Sequence, residues 1–207
     1  MVNIISHPLV ANKLSLMRDK NTRTKEFREL TYEISQMIGY EAMRKLKTKM
    51  VKIETPITTA MVPALNDTKL ALVPILRAGI AMSDAISSLV PTAKIGHIGM
   101  YRHHVTHEAI EYFCKLPVDI SECEVFMLDP MLATGASALA AINLLKQRGA
   151  KNIVFVCILA SPIGVTLLQE SHPDVDIYTA AIDDKLDENC YIIPGLGDAG
   201  DRIFGTL

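Results

Sequence analysis

Residues 125–147 read VFMLDPMLATGASALAAINLLKQ, and this stretch decides the fold. Val125 to Leu128 is a short apolar run that stops at Asp129-Pro130. From Ala138 onward, Leu139, Ile142 and Leu145 recur at helical spacing. Between strand and helix lie Ala133, Thr134, Gly135, Ala136 and Ser137, whose small side chains let backbone N–H groups face a ligand. Ser137 is the expected N-cap, and the helix after it turns its positive end toward the loop. A strand, loop and helix of this kind suit an anion, most naturally a phosphate. Asp129 adds a group for sugar hydroxyls or a metal. Taken alone, the stretch fits an ordinary βα turn with a polar cap equally well, because short Gly-Ser loops are common.

Working outward, strands and helices alternate. Residues 69–74 form a buried strand that leads to Arg77-Ala78-Gly79 and a helix through Ala81, Ala85, Ile86 and Leu89. An arginine beside small residues at such a junction is a second anion site, since its guanidinium forks onto phosphate oxygens. The alternative there is an arginine covering a helix end through an acid such as Asp84. Residues 93–100, 151–160 and 175–181 read as further strands, and Pro162 starts a helix ending near His172-Pro173. Residues 51–55 alternate as a strand. Upstream, residues 9–17 read as a short helix, and Phe27, Leu30, Ile34, Met37 and Ile38 mark a longer one running to about Leu46. The pattern predicts an α/β fold with a mostly parallel sheet flanked by helices, an N-terminal helical segment and a projecting β-hairpin flap at about 101–113. No linker, repeat or low-complexity tract divides residues 1–207, so a single domain is expected.

Composition narrows the function. With 207 residues, 49% of them hydrophobic, one substantial core is expected. A net charge of −2 argues against a sequence-independent nucleic-acid surface. No apolar run reaches the length of a membrane span, and the N-terminus has no signal-peptide pattern. Cys114, Cys123, Cys157 and Cys190 are scattered, which suggests reduced thiols in a cytoplasmic protein. His104 and His107 have a metal-like spacing, but no cysteine lies near enough in sequence to complete a tetrahedral set. The basic residues at 18–25 read as a solvated loop, with an effector's phosphates as the second reading. Three glycines around an acid, Gly195, Gly197 and Gly200 with Asp198, let the main chain approach a polar planar ring.

In order along nearly the whole chain, RDKNTRTKEFREL (18–30), ETPITTA (54–60), VPILRAGIAM (73–82), GHIGMYR (96–102), YFCKLP (112–117), DPMLATGAS (129–137), RGAKNI (148–153), HPDVDIYTAAID (172–183) and IIPGLGDAGDRIFGT (192–206) resemble the uracil phosphoribosyltransferases. These are pyrimidine-salvage members of the type I phosphoribosyltransferases. The resemblance implies transfer of ribose 5-phosphate from phosphoribosyl diphosphate (PRPP) to N1 of uracil, giving UMP and diphosphate. It implies a PRPP site of Arg77, Arg102, Asp129, Pro130, Met131, Leu132, Ala133, Thr134, Gly135, Ala136, Ser137 and Asp198. Within it Arg77, Arg102 and Asp198 take the catalytic roles. It implies a uracil site of Ile192, Gly197, Asp198 and Ala199 within a tail at about 191–202. It also implies Mg²⁺ carried by PRPP, with Asp198 as a candidate ligand, and GTP as an effector of some members. Members of the family form homodimers or homotetramers.

The chain departs from the family pattern at three places. Ala136 stands in a loop that usually reads TGGS, Ala81 replaces a second glycine, and His103 follows Tyr101-Arg102 where an acid or amide is usual. At positive φ, Ala136 would cost on the order of 1 kcal/mol; in a helix it would be harmless. That departure motivates a rival reading, a PRPP- or nucleotide-sensing protein on the same scaffold. A dinucleotide-binding oxidoreductase ranks last, because no GxGxxG follows the first strand.

Overall fold

The computed structural model describes residues 1–102 and 109–206, with the side chains of Arg102 and Ala109 outside that description. His103, His104 and His107 therefore lie outside the described residues, as does the centre of the expected flap. A central sheet runs in the order Val2–Ile4, Asp176–Thr179, Asn152–Val156, Cys123–Leu128, Lys69–Leu76, His97–Arg102 and Ala109–Lys115. The short strand Lys94–Ile95 also pairs with Lys69–Leu76. Every pairing is parallel except that of His97–Arg102 with Ala109–Lys115, which is antiparallel and forms the base of the expected flap.

Strand periodicity divides the core into two layers. Leu70, Leu72, Phe126 and Leu128 face one side, against α1 (Pro8–Arg18), α2 (Thr24–Ala42), α3 (Gly79–Ser87) and α6 (Ala199–Phe204). Ala71, Val73, Val125 and Met127 face the other, against α4 (Ala136–Gln147) and α5 (Pro162–Ser171). Both layers remove apolar strand faces from water at roughly 25 cal/mol per Å², the main drive for this arrangement. In α2, Phe27, Leu30, Ile34, Ile38 and Ala42 are buried along one stripe, as the 3.6-residue period requires. Pro8 and Pro162 open α1 and α5, where the missing N–H costs nothing, and Ser161 caps α5 by accepting from Gly164 N at 3.0 Å.

Four local expectations need correction. α2 ends at Ala42, followed by a 3₁₀ turn at Met43–Lys45, rather than running to Leu46. The strand expected at 51–55 is half of a hairpin, Thr48–Glu54 paired antiparallel with Thr59–Leu65. The expected strand 151–160 breaks after Val156. There Ile158 N and Leu159 N both donate to the Pro130 carbonyl, and Leu159–Ala160 joins a separate small sheet between Met131–Leu132 and Ala181–Ile182. Val2–Ile4 was not foreseen as a strand; three residues are too short to show a period, and it pairs at the sheet edge with Asp176–Thr179.

At the far end of α4 and α5, His172 is 7% exposed. Its Nδ1 lies 3.1 Å from the Lys146 ammonium, which also donates to Asp174 at 2.8 Å. Its Nε2 is buried with no partner among the described residues. Burial, then the Lys146 charge, lowers its pKa below the ordinary 6.5. The unfolded chain therefore binds this proton more readily than the folded one. The associated stability is complete above about pH 6.5 and is lost as pH falls below it. Urea midpoints measured between about pH 7.5 and 5.5 should drop, and His172→Gln should flatten that part of the profile. An unchanged slope in the variant would contradict this assignment.

Candidate functional site

The chain leaves Lys69–Leu76 for α3 on one face and Cys123–Leu128 for α4 on the other, and these two strands are neighbours. A crevice therefore opens at their carboxyl ends, the place where open α/β sheets bind ligands. Arg77 follows the first strand and Asp129 the second. They come close because Gly79 passes against the end of the second strand: a Cβ there would lie 2.4 Å from the Leu128 carbonyl oxygen. A side chain at this position would push the arginine turn away from Asp129.

The loop after Asp129 is held from outside the crevice. Pro130 and Leu132 are buried, and the Leu132 carbonyl accepts from Ser161 N. Ser161 Oγ donates to the Ala133 carbonyl at 2.6 Å. Gly135 takes φ 84° and is the N-cap of α4, which begins at Ala136. The expected cap at Ser137 is thereby corrected: Ser137 lies inside the first turn. Cys190 is the non-glycine residue at positive φ among the described residues, so Ala136 carries no such strain. Ala136 N donates to Thr134 Oγ1 at 3.4 Å, which keeps the turn closed over the start of the helix.

The glycine-rich tail closes the third side. Arg18 donates to Asp183 through both terminal nitrogens, each at 2.6 Å, and to the Gly195 carbonyl at 2.8 Å. Gly195 N donates back to Asp183 at 2.8 Å. Arg202 stacks over the Phe27 ring, 4.2 Å from its centroid, and donates to the carbonyls of Met17, Asp19, Thr22 and Leu196. Asp198 caps α6 by accepting from Asp201 N at 2.9 Å.

These three segments enclose a cleft of about 370 Å³, in the usual range for a small-molecule site. Of the expected site residues, Arg77, Asp129, Met131, Ala133, Ile192, Gly197, Asp198 and Ala199 line it. Pro130 and Leu132 are buried in the wall behind it, while Thr134, Gly135, Ala136 and Ser137 form the adjoining helix start. The Arg102 main chain ends the strand that pairs with Lys69–Leu76, and its side chain is outside the description. Arg77 pairs with Asp201 at 3.6 Å rather than with Asp84. Tyr191, at the start of the expected tail, also lines the cleft, as do Asn189 and Cys190, which lie just before it and are not expected there. Cys190 holds φ 65°, which no sequence signal announces. Arg18, expected in a solvated or effector-binding patch, is committed to Asp183 instead. Cys157 is no nucleophile here, because complete burial pushes its thiol up to about 12. No cluster of three or more metal-binding side chains occurs among the described residues.

Comparisons with known proteins agree with this fold. The family profile described as uracil phosphoribosyltransferase matches residues 4–206. The uracil phosphoribosyltransferase of Streptococcus mutans is 60% identical over 203 residues, covering 98% of this chain and 97% of that protein. The solved AQ2163 protein of Aquifex aeolicus superposes with a TM-score of 0.93 at 33% identity, covering 99% of this chain and 98% of the other. A purine phosphoribosyltransferase from Pyrococcus horikoshii shares the fold at a TM-score of 0.50 and 13% identity, over 74% of this chain and 87% of its own.

Arg18→Ala would leave the buried Asp183 carboxylate without its cation, and should cost about 3 kcal/mol in urea denaturation. Asp183→Asn should cost less, because the amide oxygen still accepts from Gly195 N. Equal losses, or none, would show that the pair does not hold the tail.

Proposed function

The chain belongs to the uracil phosphoribosyltransferase family, whose reaction joins uracil to the ribose 5-phosphate of PRPP and releases diphosphate, and we propose that the cleft between Arg77, Asp129 and Gly197-Asp198 carries that reaction. The observation that carries the assignment is the meeting of these three segments at the switch point of the sheet.

The 5-phosphate sits at residues 133–137, where the α4 amides and dipole stabilise an anion. Asp129 accepts from the ribose hydroxyls. Arg77 and Arg102 bind the diphosphate. As the C1–O bond breaks, negative charge grows on that leaving group while the sugar gains oxocarbenium character. Fixed cations at the growing charge lower the barrier more than they stabilise bound PRPP. Uracil lies against Ile192 and Gly197-Asp198-Ala199, read largely by backbone groups, which orients N1 toward C1.

Asp129 and Asp198 bring hard carboxylate oxygens to one cleft, and no all-protein cage is formed by the described residues. That donor set fits Mg²⁺, which keeps waters and takes one or two carboxylates with substrate phosphates. Asp198 is the residue proposed to hold it, and the ion when bound neutralises diphosphate charge. Because Ala136 starts a regular helix and is not at positive φ, it does not strain the phosphate loop, which supports the enzyme reading over a sensor.

A homodimer or homotetramer completes this reading. The hairpin of residues 48–65 exposes Met50, Ile57, Met61 and Leu65. A two-stranded hairpin is marginal on its own, so a second copy covers it. Lys20, Arg23 and Lys25 remain exposed for the phosphates of an effector such as GTP. No described helix is long and apolar enough to cross a membrane. Four free cysteines suit a reducing compartment, and we place the protein in the cytoplasm.

Pure protein given PRPP, Mg²⁺ and labelled uracil should form UMP. Arg77→Ala and Asp198→Asn should each lower kcat/KM on the order of a hundredfold without unfolding. Wild-type rates in both variants would overturn the residue roles, and no UMP from intact protein would overturn the reaction.

A further inference from the structure

Phe204 borders one cavity and lies under an arginine that lines another. Its ring borders a cavity of about 800 Å³ beside Tyr32, Ile80 and Ala81. The Arg77 guanidinium lies over the same ring, 5.6 Å from its centroid, while Arg77 itself lines the smaller cleft. Asp201, three residues before Phe204, lies 3.6 Å from the same guanidinium. One short helix thus offers the arginine both a carboxylate and an aromatic face.

The helix that carries them is itself anchored. The Ile203 carbonyl, next to Phe204, accepts from Arg28 Nε at 3.1 Å and from Arg28 Nη2 at 2.9 Å. Gly205 closes the helix at φ 68° and donates to the Asp201 carbonyl at 2.7 Å. The Arg77 side chain is 60% exposed, so without these contacts it would sample many rotamers.

We infer that Phe204, helped by Asp201, is a positioning residue that keeps the Arg77 guanidinium aimed into the cleft for the diphosphate of PRPP. This rests on the role proposed above for Arg77. The two supports act differently. A carboxylate at 3.6 Å in a solvated setting is an exchangeable partner, which phosphate oxygens replace. The ring attracts the cation through its π face without occupying a hydrogen-bond donor, so the N–H fork stays available to phosphate. Ring support therefore persists when PRPP binds, whereas the ion pair is exchanged. The loss of rotamer freedom is met before the substrate arrives.

The test is a double-mutant cycle read by equilibrium titration with PRPP and by steady-state kinetics. Phe204→Leu should raise the PRPP Kd about two- to fivefold, the range for an exposed cation–π contact. The KM for uracil and the melting temperature should not move. Phe204→Tyr, which keeps the ring face, should restore the PRPP affinity. In an Arg77→Ala background, Phe204→Leu should add nothing further. The inference is overturned if Phe204→Leu leaves PRPP affinity unchanged, weakens it equally in both backgrounds, or weakens uracil as well. If Arg77→Ala alone leaves PRPP affinity intact, the role of Arg77 falls and takes this inference with it.

Discussion

The guanidinium of Arg202 joins parts of the chain that are far apart in sequence. It donates to the carbonyls of Met17, Asp19 and Thr22, at the end of α1 and in the turn after it, and to Leu196 in the glycine tail. Its flat face rests on Phe27 of α2. Burial lowers its pKa below the ordinary arginine value, but a guanidinium stays charged. The carbonyls replace the water that burial removed, and their number decides whether the charge is tolerable. A lysine could not meet four carbonyls and a ring in one plane. The cleft-lining residues Gly197 to Ala199 inherit their position from this arginine and from the Arg18–Asp183 pair.

The cleft divides labour between buried and exposed groups. Pro130, Leu132 and Ser161 shape the loop after Asp129 from behind, through main-chain contacts in a small auxiliary sheet. Strand ends that peel away from the central sheet make this possible, because each frees main-chain donors for the loop next to it.

Much of the scaffold was legible in the sequence. The alternation of apolar runs with helical stripes indicated a parallel sheet, and the small-residue loop after Asp129 marked one wall of the cleft. Arg77 and the Gly197–Ala199 tail marked the others. The less legible parts depended on tertiary geometry. Arg18 lies in a run of charges that looks solvated, and nothing local reveals that Asp183, 165 residues away, faces it. The break after Val156 is invisible in a continuous apolar stretch, since a buried strand and a peeled strand end have the same composition. Ser137 looked like the cap by residue type, but a glycine in left-handed conformation two residues earlier took that place. The hairpin of residues 48–65 showed one strand by its alternation. Its second strand contains Pro63 and does not read as a strand.

The Arg202 junction also sets a schedule. Met17 and Arg202 are 185 positions apart, and Arg28 reaches Ile203 across 175. Synthesis must pass residue 203 before both contacts can form. Until then the apolar stripe of α2 has no α6 to cover its end, and the glycine-rich loop has no anchor. Partial translation products therefore expose a sticky helix and carry no working cleft. The two ends of this long chain segment therefore have to meet before the cleft wall they share is held in place.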